Sequence, residues 1–108
     1  VIRPFVDFYR DNEISPVHQD LGDMQRHFER RQNLYRTMGI PGHLLAGRDV
    51  LEFGVGSGHN ALYTASLRPA SYTLVDANPY GLNEAQHLFA TYVPECKPRF
   101  VTSLIEEY

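Results

Sequence analysis

The chain has 108 residues, a formal net charge of −3 and a single cysteine, Cys96. That length sets about one small domain, the charge argues against a basic field that would recruit nucleic acid or acidic lipid, and one cysteine excludes an internal disulfide. No apolar run approaches the ~20 residues that span a bilayer. The opening Val1-Ile2-Arg3-Pro4-Phe5-Val6-Asp7-Phe8, with its early acid and proline, does not read as a signal peptide. The expectation is a soluble, cytoplasmic chain with neither nucleic acid nor membrane among its partners.

Residues 1–19 mix Pro4, Pro16, aromatics and charges without a period, and read as an irregular arm. Residues 20–38 read as a helix. Leu21, Met24, Phe28, Leu34, Tyr35 and Met38 recur at helical spacing, interrupted by Arg31. Asp20 is its expected N-cap, Gly39 and Pro41 its stop, and Arg26, Glu29, Arg30 and Arg36 its wet face.

Residues 42–48 connect to a first strand at Asp49–Phe53. A helix over 58–67 follows, with Ala61, Leu62 and Ala65 at helical spacing and Pro69 beyond. A second strand covers 72–75. Asn78 and Pro79 suit the N-cap and first position of the next helix, whose buried stripe reads Leu82, Ala85, Leu88, Phe89 and Tyr92, with Pro94 past its end. The third strand is Arg99–Thr102.

Strand, helix, strand, helix, strand is the grammar of a parallel sheet with crossover helices. The expected fold is α/β, a Rossmann-like three-layer sandwich. Residues 49–108 would supply a partial βαβαβ parallel sheet, preceded by the N-terminal helical segment. Ser103-Leu104-Ile105-Glu106 has capping-box spacing, so a further helix is expected to open there. The chain therefore reads as the front part of a larger domain. Its first strand would be central in the complete sheet, and its other edge, unpaired in this chain, would favour self-association.

Gly54, Gly56 and Gly58 occupy alternate positions directly behind the first strand. A tight turn out of a strand can require positive φ, which glycine adopts cheaply. Backbone without side chains, followed by a helix N-terminus, makes a floor for a nucleotide-like cofactor at the carboxyl edge of a sheet. A purely structural turn would need one glycine. The dinucleotide fingerprint Gly-x-Gly-x-x-Gly would place its third glycine where His59 stands, so the spacing disfavours a pyrophosphate.

Glu52-Phe53-Gly54-Val55-Gly56-Ser57-Gly58 instead resembles the first motif of the class I S-adenosylmethionine-dependent methyltransferases. The resemblance runs from residue 49 to about residue 105 and implies S-adenosylmethionine as cofactor. It implies that Gly54, Val55, Gly56, Ser57 and Gly58 form the cofactor turn. Glu52 would orient that turn or reach the methionine end. Asp76 ends the second strand, and a carboxylate there can accept hydrogen bonds from two vicinal hydroxyls. In the family this acid holds the ribose, and Ala77 and Asn78 would border the adenine. An acid directly after the third strand is absent, which leaves Ser103 as the polar contact for adenine. Residues 1–48 lie outside the common core. By analogy they would cover the cofactor or select substrate, with Tyr9, His18 and Gln19 as contacts by position only.

His18, His27, His43, His59 and His87 lack metal-ligand spacing, and no Gly-x-x-x-x-Gly-Lys-Ser/Thr motif is present. Cys96 reads as an ordinary thiol near a strand. Methyl transfer from a sulfonium needs alignment more than covalent help, in keeping with readable residues that hold a cofactor and none that reads as a base. Three functions remain open: a methyltransferase acting on an unidentified acceptor, an NAD(P)-binding oxidoreductase fragment, and a non-catalytic Rossmann-like interaction module.

Overall fold

In the computed structural model, which describes residues 23–108, the strand and helix periods resolve into one parallel sheet with helices against it. Helix α1 spans Met24–Thr37. It starts later than the sequence pattern suggests, because Asp23 rather than Asp20 caps it: Asp23 is extended, and its carboxylate accepts from the Arg26 amide at 3.0 Å. Asp20 and Leu21, like Tyr9, His18 and Gln19, lie outside the described residues. The helix ends in a Schellman turn. Gly39 takes φ +77°, its amide donates to the Arg36 carbonyl, and the Ile40 amide donates to the Tyr35 carbonyl at 2.8 Å.

The inward stripe of α1 differs from the expected one. Met24, His27, Phe28, Arg31 and Tyr35 are buried or half-buried, whereas Leu34 and Met38 are 42% and 53% exposed. Positions 24, 27, 28, 31 and 35 share one helical face, so Arg31 belongs to the stripe instead of breaking it. The stripe packs on Tyr63, whose ring lies edge-on to Phe28 and Tyr35 at 5.6 and 5.3 Å between centroids. Arg26, Glu29, Arg30 and Arg36 are exposed, as expected.

A single 3-10 turn at Gly42–Leu44 leads to β1, Asp49–Phe53. Helix α2 is Ala61–Ser66, β2 Ser71–Asp76, α3 Pro79–Tyr92 and β3 Arg99–Thr102. All three strands are parallel in the order β1-β2-β3, with Val50 opposite Tyr72 and Leu74 opposite Phe100. The second and third strands therefore lie on one side of the first, as anticipated.

Period-two alternation puts Val50, Glu52, Tyr72, Leu74 and Phe100 on one sheet face. That face meets Met24 and Phe28 of α1, Leu62 and Ala65 of α2, and Leu82 and Phe89 of α3 in a single core. Leu62 and Leu74 are completely buried, and each such side chain contributes about 1.5–3 kcal/mol relative to exposure. The opposite face carries Leu51, Phe53, Val75 and Val101. The described α-helices all pack on the other face, so two of the three layers are seen here, although Val75 is itself fully buried. Phe53 meets the Tyr108 ring edge-on at 5.6 Å.

Three further expectations are corrected. Helix α2 begins at Ala61, three residues after the last glycine, because residues 55–61 are taken up by turns in which the Gly58 amide donates to Val55 and the Ala61 amide to Gly58. In α3, Leu82, Ala85 and Phe89 are buried, but Leu88 is only half-buried and Tyr92, at the last helical position, is 44% exposed; Val93 takes its place in the core. The capping box does not form. The Ser103 hydroxyl donates to the Leu104 carbonyl, and Ile105–Glu107 makes one 3-10 turn.

Candidate functional site

The strands end level at their carboxyl edge. The Gly54 amide extends the β1–β2 ladder by donating to the Val75 carbonyl at 2.8 Å, and the Ser103 amide extends the β2–β3 ladder by donating to Asp76 at 3.0 Å. Beyond this edge the chain makes the glycine turn. Gly54, Gly56 and Gly58 all take positive φ, +72°, +58° and +87°. The alternation in the sequence thus has a backbone cause: an L side chain at any of these positions would be strained.

The three glycines are not equivalent in space. A Cβ at Gly54 would meet nothing within 4 Å, so this position is open to a ligand. A Cβ at Gly58 would stand 2.7 Å from the Ala85 Cβ and 3.1 Å from its Cα, so Gly58 lets α3 close against the turn. Val55, Gly56, Ser57 and Gly58 are all buried.

Asp76 joins the turn to the end of β2. One carboxylate oxygen accepts from the Gly56 amide at 2.9 Å and the other from the Asn78 amide at 2.8 Å. Each oxygen keeps a further lone pair for a ligand hydroxyl. Asn78 is 5% exposed and caps α3 through its side-chain oxygen, which accepts from the Tyr80 amide at 3.0 Å.

An open cleft of about 520 Å³ lies over this edge, lined by Phe53, Gly54, Val75, Asp76, Ala77 and Ser103 together with residues 104–106. Its volume falls within the usual range of small-molecule sites. Of the residues singled out in the sequence, the structure brings Gly54, Asp76, Ala77 and Ser103 to this cleft, with Gly56 one hydrogen bond behind. Val55, Ser57, Gly58 and Asn78 build its support. With α2 only six residues long and set back from the turn, its N-terminus takes no part in the cleft, which the turn meets through Gly54.

Glu52 lies on the helix-covered face. Its carboxylate accepts from the Tyr72 hydroxyl at 2.7 Å. Burial first, and then the Glu52 charge, push the Tyr72 phenol far above its ordinary range, which fixes it as a donor. The nearby Thr64 hydroxyl acts against these causes, lowering the Tyr72 pKa, and Thr64 is itself hydrogen-bonded to the Tyr35 hydroxyl. A polar chain therefore runs from Glu52 through Tyr72 and Thr64 to Tyr35 on α1, with the Arg31 guanidinium 5.6 Å above the Tyr35 ring.

A second polar cluster flanks the exit of the turn. Ser57 Oγ and His59 Nδ1 lie 2.7 Å apart, and His27 Nε2 lies 2.7 Å from the His59 carbonyl. The carbonyl can only accept, so the His27 proton is assigned to Nε2. Tyr72, Thr64, Tyr35 and His27 were not legible as site residues. Only the 24-27-28-31-35 spacing hinted that His27, Arg31 and Tyr35 of α1 point inward.

Burial, then the Glu95 carboxylate, raise the pKa of the Cys96 thiol and so disfavour its thiolate. No group of three metal-ligating side chains occurs among the described residues, and none of their helices is long and apolar enough to cross a membrane.

The site thus sits on a Rossmann-like parallel sheet, with a glycine turn after β1 and an acid at the end of β2. Solved structures share it. Magnesium protoporphyrin IX methyltransferase from Synechocystis PCC 6803, with bound SAM, superposes with a TM-score of 0.62 at 16% identity, over 95% of this chain and 56% of that one. An uncharacterized protein from Burkholderia thailandensis gives 0.57 at 20% identity, over 92% of this chain and 27% of the other. The tRNA (uracil-54, C5)-methyltransferase of Pyrococcus abyssi, in complex with S-adenosyl-L-homocysteine, gives 0.50 at 21%, over 68% and 18%. The chain thus spans about half the length of the first of these and about a quarter or less of the other two. No family model matches, and no curated protein matches.

Proposed function

We propose that residues 49–108 are the S-adenosylmethionine-binding portion of a methyltransferase. The observation that carries this reading is the Asp76 carboxylate. It is held by one amide of the glycine turn and one at the start of α3, on the wall of an open cleft at the carboxyl ends of all three strands.

The residues present fit the cofactor. Asp76 has lone pairs left for the two ribose hydroxyls. Phe53, Val75, Leu104 and Ile105 offer apolar walls to a purine, with Ala77 and the Ser103 hydroxyl at its rim. Gly54 leaves backbone exposed where the methionine part would pass. When bound, the cofactor supplies an activated methyl group on a sulfonium. The chain's task is to hold and align it against an acceptor.

Calorimetry with S-adenosylmethionine, S-adenosylhomocysteine and NAD tests the assignment. Either adenosyl compound is expected to bind more tightly than NAD. Preference for NAD would refute the reading and favour the oxidoreductase alternative.

A further inference from the structure

His27 is 1% exposed on the face of α1 that packs against the core, and its Nδ1 has no partner. A buried polar atom without a partner costs free energy. An apolar side chain would pack more cheaply there, as Phe28 beside it does. What His27 adds is one long-range hydrogen bond, from Nε2 to the carbonyl of His59, 32 residues away in sequence. His59 follows Gly58 directly, and its ring reaches back to Ser57 between the second and third glycines. The same helix reaches the other flank of the turn through Tyr35, Thr64 and Tyr72 to Glu52.

A turn with three glycines has an unusually large set of accessible conformations. The residues that hold it in one of them decide whether the Gly56 amide meets Asp76. We propose that α1 is the positioning element for the cofactor turn and that His27 is its positioning residue, setting the ligand-ready shape of residues 54–60 through the His59 carbonyl. The consequence for affinity rests on the cofactor reading above; the effect on the turn does not.

The test compares the full chain with His27→Leu, which keeps apolar bulk and loses the donor, and His27→Gln, whose side-chain amide can donate near the place of Nε2. Amide hydrogen exchange without ligand is measured over residues 54–60 and over β2 as an internal reference. In His27→Leu the turn is expected to exchange about fivefold faster relative to β2, the effect of one net hydrogen bond, with His27→Gln close to wild type. The dissociation constant for S-adenosylmethionine should rise by about the same factor in His27→Leu and recover in His27→Gln. A merely structural His27 would accelerate turn and strand together, and both variants alike; either result overturns the proposal. Failure of wild type to bind the cofactor would refute the cofactor reading, while the exchange comparison still decides the role of His27.

Discussion

Asp76 is where fold and site meet, so its removal gives the sharpest measurement. Asp76→Ala deletes two charge-assisted hydrogen bonds, to the Gly56 amide at 2.9 Å and to the Asn78 amide at 2.8 Å. Bonds to a charged acceptor contribute about 1.5–3 kcal/mol each. Asp76 is only half-buried, so water replaces part of this, and the low end, about 3 kcal/mol for the pair, is the reasonable expectation. For a domain of this size that corresponds to a fall in Tm of roughly 12–24 °C. Asp76→Asn keeps one acceptor oxygen but sets an NH2 against a backbone donor, so it should fall between wild type and Asp76→Ala. Urea denaturation followed by circular dichroism gives both values, and calorimetry gives cofactor affinity on whatever remains folded. A consideration of the ribose contact alone would place the whole effect on binding; the two amide bonds require a stability loss as well. Asp76→Ala unfolding within about 0.5 kcal/mol of wild type would refute the idea that this carboxylate pins the turn.

The glycines separate by their surroundings. Gly54→Ala should cost about 1–2 kcal/mol, the strain of positive φ alone, whereas Gly58→Ala adds the overlap with Ala85 and should cost about 1–3 kcal/mol more. Equal midpoints for the two in urea would sink the distinction, and Ala85→Gly should recover part of the Gly58→Ala loss. Tyr72 gives a pH dependence. Its folded pKa lies above the unfolded value near 10, so the native state keeps a proton that the unfolded chain gives up. The contribution is complete below about pH 10 and is lost as pH rises beyond it. Tyr72→Phe should therefore flatten the alkaline fall of stability by up to about 1.4 kcal/mol per pH unit; parallel curves for variant and wild type would show that the phenol titrates normally.

The sheet was legible because its signals are local. Asp49–Phe53 and Arg99–Thr102 stand where the alternation between apolar runs and glycine or proline put them. Asn78 and Pro79 marked the start of α3, since a side-chain acceptor followed by a residue without an amide suits only a helix start. Less legible were features set by what lies across the chain. Helix α2 loses its expected first turn to the glycine loop, and the Ser103 box gives way to a 3-10 turn. Leu34 and Met38 are apolar yet exposed, because the phase of α1 is fixed by Tyr63 rather than by its most apolar residues.

The candidate site divides in the same way. Gly54, Asp76, Ala77 and Ser103 converge on one cleft because a parallel sheet brings the carboxyl ends of neighbouring strands together, and sequence order alone is enough to say so. Nothing comparable leads from sequence to His27 or Tyr35. Both lie on a helix that contributes no residue to the cleft, and each acts on a partner about thirty residues away, the His59 carbonyl and the Thr64 hydroxyl. Helical phase would have revealed them, had polar residues been allowed on the buried stripe. With positions 24, 27, 28, 31 and 35 taken as one face whatever their chemistry, α1 carries a histidine, an arginine and a tyrosine toward the core. A helix that turns such groups inward calls for specific partners, which His27 and Tyr35 find and the buried Arg31 Nε does not. Two of those partners lie on the segment that follows the glycine turn, so the sequence that shapes the turn extends back to residue 27, well outside the stretch that resembles a cofactor motif.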